Sequence, residues 1–188
     1  TAIDDQDPTG TALGRYGRGL RFVHRAGFYD PFVRWANLSL STFASEFTVE
    51  FWAKPESTYG VMARYLGPAG SDLLSITRVN ATVNTSVTDL PGGAQANASR
   101  PLSDNVWHHV VISWIDNGTT RTLTMWVDAQ PTVVASPTLQ IDLSGFFFGT
   151  QIDTDSDGFD GYLDEISVSN RAVTQADVTV VGFTQFNS

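Results

Sequence analysis

The chain reads as a single all-β domain, and three observations carry that reading. Its 188 residues suit one domain of this class. From Phe47 to Ala53 the residues alternate, with Phe47, Val49, Phe51 and Ala53 on one face, the period of a half-buried strand. Two more runs, Val106 to Asp116 and Thr120 to Asp128, flank the turn Asp116-Asn117-Gly118-Thr119. Asn-Gly supplies the positive φ angles that tight hairpins need. Hydrophobic residues make up 41% of the chain and aromatics 12%, enough for a packed core without covalent staples.

Taken in order, Thr1 to Gly14 is polar, with Asp4, Asp5, Asp7, Pro8 and Gly10, and reads as an extended arm. Leu20 to Val23 and Phe28 to Trp35 read as the first strands, with Arg25-Ala26-Gly27 as the turn between them. Pro55 ends the Phe47 strand, since proline cannot donate to a central ladder. Tyr59 to Leu66 and Leu73 to Val79 follow, separated by Gly67-Pro68-Ala69-Gly70. Asn80 to Arg100 is polar and small, with Pro91-Gly92-Gly93, and predicts a short strand and a long loop on one rim. In the central hairpin Val110, Ile112 and Trp114 face one way, answered by Leu123, Met125 and Val127. Phe146 to Gly149 predicts a buried strand, and Tyr162 to Val168 a final one. Thr174 to Val181 predicts a short helix with Thr174 as its N-cap.

Charge and composition narrow the function. The formal net charge is −9, from 11 basic and 20 acidic residues. That balance opposes nucleic-acid binding, which needs a basic footprint, and attraction to anionic membrane surfaces. No apolar run reaches the length of a membrane span. With no cysteine, neither a disulfide nor a thiolate-metal site is available. The chain begins at Thr1 without a signal peptide, which reads as a mature product or an excised domain. Lys54 is the only lysine. Five glycosylation sequons occur, at Asn37, Asn80, Asn84, Asn97 and Asn117, and point to a secreted or cell-surface protein. Asn117 is the weakest of them, because the hairpin turn itself uses it. A Ser/Thr/Asn-rich chain also produces sequons by chance.

The acidic segment Asp153 to Asp160 carries the densest chemistry. Asp153, Asp155, Asp157 and Gly158 fit the calcium-loop pattern D-x-D-x-D-G, and Asp164 stands at the twelfth position. By the period of two, Asp164 shares a face with Tyr162, Ile166 and Val168, and an unpaired buried carboxylate is costly. A Ca²⁺ held by Asp153, Asp155 and Asp157, with Asp160 or Asp164 completing the shell and the Phe159 carbonyl added, would answer that cost. Strand flanks and Asp in place of Glu at the last position separate this loop from an EF-hand. The competing reading is a solvated acidic turn, with backbone or arginine donors for Asp164, Arg171 first among them.

Catalytic constellations are absent from the sequence pattern. Asp164 and Glu165 are neighbours on opposite faces, and Glu46 and Glu50 lack a third acid in register. There is no nucleophile elbow and no phosphate loop. His108 and His109 are adjacent on a strand and point to opposite faces, so they read as one packed and one surface histidine; His24 is the third. Tyr29, Trp35, Trp52, Tyr59 and Trp126 are candidate sugar-stacking aromatics, though such residues are also ordinary core material. Trp52 and Trp126 sit on the opposite parity to the apolar residues of their strands, so they line a second sheet face, under a loop or against a neighbouring subunit.

Five stretches in order carry a family resemblance: Gly17 to Phe22, Phe47 to Pro55, Asn105 to Ile112, Met125 to Asp128, and Gly161 to Ile166 with Asn170-Arg171-Ala172. Together they resemble laminin-G-like domains of the concanavalin A-like superfamily, over roughly Tyr16 to Ala172. The resemblance implies a two-sheet antiparallel jelly-roll sandwich over residues 16–173, with an arm at 1–15 and a short helix and tail at 174–188. It also implies a structural calcium, with Asp164 at the matching motif position. Function stays open, because the fold carries lectins, adhesion modules, structural subunits and some glycosidases. The reading that fits the sequence is a non-catalytic extracellular binding or adhesion module whose partner is carbohydrate or a surface glycoprotein. The alternative is a self-assembling subunit of an extracellular fibre, surface layer or virion appendage, whose partners are copies of itself.

Overall fold

The computed structural model describes residues 9–23, 33–35, 45–66, 72–88, 95–135, 145–149 and 158–184. The strands are β1 (Thr9–Gly14), β2 (Gly17–Phe22), β3 (Val33–Trp35), β4 (Glu46–Pro55), β5 (Tyr59–Leu66), β6 (Asp72–Val79), β7 (Thr82–Thr88), β8 (Gln95–Pro101), β9 (His108–Asp116), β10 (Arg121–Val127), β11 (Gln130–Ala135), β12 (Gly145–Phe148) and β13 (Gly161–Ser169), followed by helix α1 (Gln175–Thr184). They form a seven-stranded sheet, β1-β2-β13-β4-β9-β10-β11, and a six-stranded sheet, β3-β12-β5-β6-β7-β8. Every named strand pair is antiparallel. The interleaved order, with β13 between β2 and β4, is that of a jelly-roll sandwich.

The core lies between the sheets and follows the alternation of the sequence. Phe47, Val49 and Phe51 of β4 are fully buried, as are Val110 and Ile112 of β9 and Leu123 and Met125 of β10. The other sheet answers with Tyr65, Leu74, Ile76, Val83 and Phe148. Phe51 and Phe148 meet edge-on across the sandwich, with centroids 6.2 Å apart. At one side the two sheets are tied together. Arg100 of β8 donates from Nε to the Gln130 carbonyl at 3.1 Å and from Nη2 to the Pro131 carbonyl of β11 at 2.7 Å.

Several expectations change in detail. The extended lead-in carries a strand, since Thr9–Gly14 pairs with β2. The polar stretch from Asn80 to Arg100 forms two full strands, β7 and β8, rather than a short strand and a long loop. Thr82 to Thr88 alternates β-branched and small polar residues, with Val83 and Thr85 buried and Asn84 outward, a half-buried strand in polar disguise. In the β9–β10 hairpin only Gly118 takes a positive φ, +83°. Asn117 supports that turn through its side chain, whose Oδ1 accepts the N–H groups of Thr119 and Thr120 at 3.1 and 2.7 Å. Thr174 caps α1 through a reciprocal pair with Asp177. Its N–H donates to Asp177 Oδ2 at 2.8 Å, and its Oγ1 accepts the Asp177 N–H at 3.4 Å.

The largest change concerns β13. Its register against β4 shifts between Asp164 and Ser167, and Glu165 takes φ +49°. That bulge inserts a residue and reverses the alternation. Leu163 packs in the core, and so do Ile166 and Val168 beyond the bulge. Tyr162 and Asp164 are thereby placed on the outer face of the seven-stranded sheet, opposite Lys54 and Trp52 in register. Strict alternation had put Asp164 with Ile166 and Val168; the bulge separates them.

Candidate functional site

Each sheet has an outer face, and the two are built from different chemistry. On the seven-stranded sheet, Trp52 and His109 stand opposite each other in register and stack with ring centroids 5.0 Å apart. Both are nearly buried, at 4% and 2% exposure. Tyr16, in the β1–β2 turn, meets Trp52 edge-on at 6.0 Å, and the Arg15 guanidinium lies 5.2 Å from both ring centroids. His109 Nε2 lies 2.7 Å from Glu50 Oε1. Further along, Tyr162 is flanked by Arg21 at 4.7 Å and Lys54 at 5.3 Å, with Trp107 at 6.2 Å. At the far end α1 covers the sheet: Val111, Trp126 and Val178 form a small second core, and Trp126 Nε1 donates to Gln175 Oε1 at 2.8 Å. Trp52 and Trp126 therefore do line the second sheet face, beneath other parts of the same chain. Neither ring is open for sugar stacking. Tyr59 is exposed, Trp35 stands in β3, and Tyr29 lies outside the described residues.

Asp164 belongs to this same packed face. Its Oδ2 accepts the Tyr16 N–H at 3.0 Å and its Oδ1 accepts the Glu165 N–H at 2.9 Å. A Cβ built on Gly14 would stand 2.4 Å from Asp164 Oδ2, so only glycine lets the turn close over the carboxylate. Through these bonds the carboxylate fastens the β1–β2 turn to the β13 bulge. Asp160 lies 3.7 Å from Arg21 Nη2, and Arg21 also donates to Glu56 at 2.8 Å. Asp153, Asp155 and Asp157 lie outside the described residues. Among the described residues no group of three or more His, Asp or Glu side chains is arranged to hold a metal ion.

His108, His109, Asp128 and Glu46 are engaged structurally. His108 and His109 face opposite ways, but both are buried, so the expected surface histidine is instead the one beneath Trp52. The Ser103 N–H donates to His108 Nε2 at 3.1 Å, which leaves the ring proton on Nδ1, 2.7 Å from Asp128 Oδ2. The His109 N–H donates to Asp128 Oδ1 at 3.0 Å. Burial pushes the Asp128 carboxyl up, but the bonds from His108 and the His109 N–H outweigh it and hold the group below its ordinary value. Glu46 accepts the Ala172 N–H at 2.9 Å, tethering the reversal after β13.

Among the described residues, the outer face of the six-stranded sheet over β6 to β8 is uncovered and built from small side chains. A groove of about 350 Å³ runs over β6, β7 and β8, lined by Ser75, Thr77, Asn84, Asn97 and Ser99, with Thr85 and Ala98 beneath. Register brings these residues together in cross-strand rows. Thr77, Asn84 and Ser99 form one, and Ser75, Ser86 and Asn97 the other. The lining is hydroxyl and amide, with no formal charge. Sequence reasoning missed this groove because it read Asn80 to Arg100 as a short strand and a long loop; the alternation around Val83 was the available signal. Of the sequons, Asn80, Asn97 and Asn117 are exposed and Asn84 is half-buried, while Asn37 lies outside the described residues. No helix among the described residues is long and apolar enough to cross a membrane.

The Laminin_G_3 family model, described as concanavalin A-like lectin/glucanases superfamily, matches residues 28–179. No curated protein sequence matches. The receptor-binding domain of botulinum neurotoxin C/D mosaic serotype is similar with a TM-score of 0.72 and 11% identity, over 96% of this chain and 45% of that one. The binding domain of botulinum neurotoxin DC, solved in complex with rat synaptotagmin II, gives 0.70 and 10%, over 90% and 44%. A native heptameric SAP-like pentraxin from Limulus polyphemus gives 0.67 and 16%, over 91% and 84%. The chain spans less than half the length of the toxin domains, and at these identities the likeness is one of fold.

Proposed function

The chain belongs to the Laminin_G_3 family of the concanavalin A-like superfamily, and from that premise we propose that it is a non-catalytic extracellular binding module that takes carbohydrate on its six-stranded sheet. The observation that supports this reading is the groove. Its uncharged amides and hydroxyls match the donors and acceptors of a sugar, and no element of the described chain covers it. Fold alone does not assign the ligand. The isolated chain is expected to bind on a glycan array, and Asn97→Ala and Thr77→Ala to lower the affinity at least tenfold. An array on which the folded monomer binds nothing overturns the reading.

A second reading, self-assembly, has its own support. Among the described residues β1 pairs on one side only, with β2, and leaves an edge of the seven-stranded sheet for another copy. Ordered polymers or closed rings in micrographs of the purified chain, together with no glycan binding, favour it over the first.

Two site proposals accompany the function. At least some of the sequon asparagines Asn37, Asn80, Asn84, Asn97 and Asn117 are proposed to carry glycans in the native source, consistent with an extracellular setting; glycopeptide mass spectrometry finding all of them bare removes that support. The acidic segment with Asp153, Asp155 and Asp157 is proposed to hold a structural Ca²⁺, with Asp160 or Asp164 completing the shell. A cation that binds only the folded chain raises stability by about 2.7 kcal/mol at a hundredfold excess over its dissociation constant. Chelation is therefore expected to lower the melting temperature, and an unchanged melting curve with chelator and with added Ca²⁺ rules the ion out.

A further inference from the structure

Two of the sequons face each other. Asn84-Thr85-Ser86 lies on β7 and Asn97-Ala98-Ser99 on β8, and the antiparallel register pairs Asn84 with Ser99, Thr85 with Ala98 and Ser86 with Asn97. Each acceptor asparagine thus stands opposite the serine that completes the other sequon. Asn84 and Asn97 occupy diagonal positions on one sheet face, within reach of one another, and both line the same groove. Asn97 is exposed and Asn84 half-buried, while Thr85 and Ala98, the middle residues, are buried on the core side. The face that each amide reaches is therefore outside the packed interior.

We infer that Asn84 and Asn97 are attachment sites for N-linked carbohydrate, and that glycans on them fill the groove, so that modification closes the surface which the unmodified chain offers to a free sugar. The first half stands on the sequons and their register; the second rests on the reading of the groove as the binding surface. In the modification the asparagine amide nitrogen attacks the anomeric carbon of a lipid-diphosphate-linked oligosaccharide. A C–N bond forms, the anomeric C–O bond breaks, the lipid diphosphate leaves, and the nitrogen gives up one proton. The product places the first sugar ring on the row Thr77, Asn84, Ser99 or on the row Ser75, Ser86, Asn97. Ser75, Thr77, Asn84, Asn97 and Ser99 bring hydroxyls or amides to that surface. An attached sugar on either row occupies part of the groove of about 350 Å³ that a free sugar would need.

The test compares one chain made in two hosts, with and without N-glycosylation machinery. Glycopeptide mass spectrometry is expected to find carbohydrate at Asn84 and Asn97 in the first preparation. Both sites bare there overturns the inference. The groove is then probed without any ligand. The chain has no cysteine, so Thr77→Cys provides a single thiol, and its labelling by a bulky maleimide is expected to be at least tenfold slower in the glycosylated form. Ser86→Ala with Ser99→Ala removes both sequons and is expected to restore the fast rate in the glycosylating host. Equal labelling rates in the two preparations overturn the proposed covering of the groove. Glycan-array binding by neither preparation sinks the carbohydrate-binding reading, while the mass and labelling results still decide the attachment and the covering.

Discussion

The outer faces of the two sheets use the chain in opposite ways. On the seven-stranded sheet the outward positions hold Trp52, His109, Trp126, Tyr162 and Asp164, and the chain folds its own β1–β2 turn and α1 over them. On the six-stranded sheet the outward positions of β6 to β8 hold Ser, Thr and Asn, with an open groove between them. The first face extends the hydrophobic core to the outside of its sheet; the second contributes little apolar burial and stays accessible. On the seven-stranded sheet the large outward aromatics Trp52 and Trp126 mark packing, whereas the small polar rows of β6 to β8 line the proposed ligand surface.

Truncation on the packed face tests that contrast most severely. Trp52→Ala removes the ring between His109 and Tyr16, and Trp126→Ala removes the one beneath α1. Each is expected to cost about 3–5 kcal/mol, the range for Trp truncation in a packed site. Urea unfolding with an unchanged m-value measures it. Losses below about 1 kcal/mol would show that these rings are not true packing elements and would erase the distinction between the faces.

Asp164 comes next. Asp164→Ala leaves the Tyr16 and Glu165 N–H groups without their acceptor, an expected loss of about 1–3 kcal/mol. Asp164→Asn keeps one carbonyl oxygen and is expected to lose less. If the carboxylate matters chiefly through a cation, the alanine variant also loses its response to chelator; if it matters through the turn, that response stays.

The Asp128 latch gives a smaller effect with a defined pH dependence. Its carboxyl binds a proton less readily in the fold than in the unfolded chain. The stabilisation it brings is complete above the ordinary carboxylate value and fades as pH falls through the lowered folded value. Asp128→Asn is expected to flatten the acid limb of a plot of stability against pH and to leave the neutral region less stable than wild type. An acid limb of unchanged slope would show that the His108–Asp128 bond is not formed in solution.

How much of this was legible in the sequence depends on what sets each feature. The Phe47 to Ala53 strand and the Val110 and Leu123 faces were legible because their burial follows directly from local alternation. The reversal at Glu165 was not, because a bulge is defined against the partner strand, and nothing within Tyr162 to Val168 announces it. Trp52 and Trp126 were legible as residues of a second face, but the cover comes from Tyr16 and Gln175, distant in sequence. For the acidic loop, only Asp160 and Asp164 fall within the described residues, and of the backbone or arginine donors that sequence reasoning offered Asp164, the backbone N–H groups of Tyr16 and Glu165 are the ones that bond it. The strands β7 and β8 were hidden by their polarity, the same property that makes their outer face suited to a ligand.

The smallest expected effect on stability is the one that completes the comparison. Asn97→Ala and Thr77→Ala each remove a polar group from a solvent-facing row, leave Val83, Thr85 and Ala98 buried beneath, and break no hydrogen bond that ties the two sheets together. Surface substitutions of this kind fall within about 0.5 kcal/mol. Paired with the tenfold loss of glycan affinity expected of the same variants, such a result separates binding from folding on this face. A loss of 2 kcal/mol or more, with affinity unchanged, would reverse the assignment: the groove would then be a structural seam, and the accessible aromatic at Tyr59 the next place to look for the ligand.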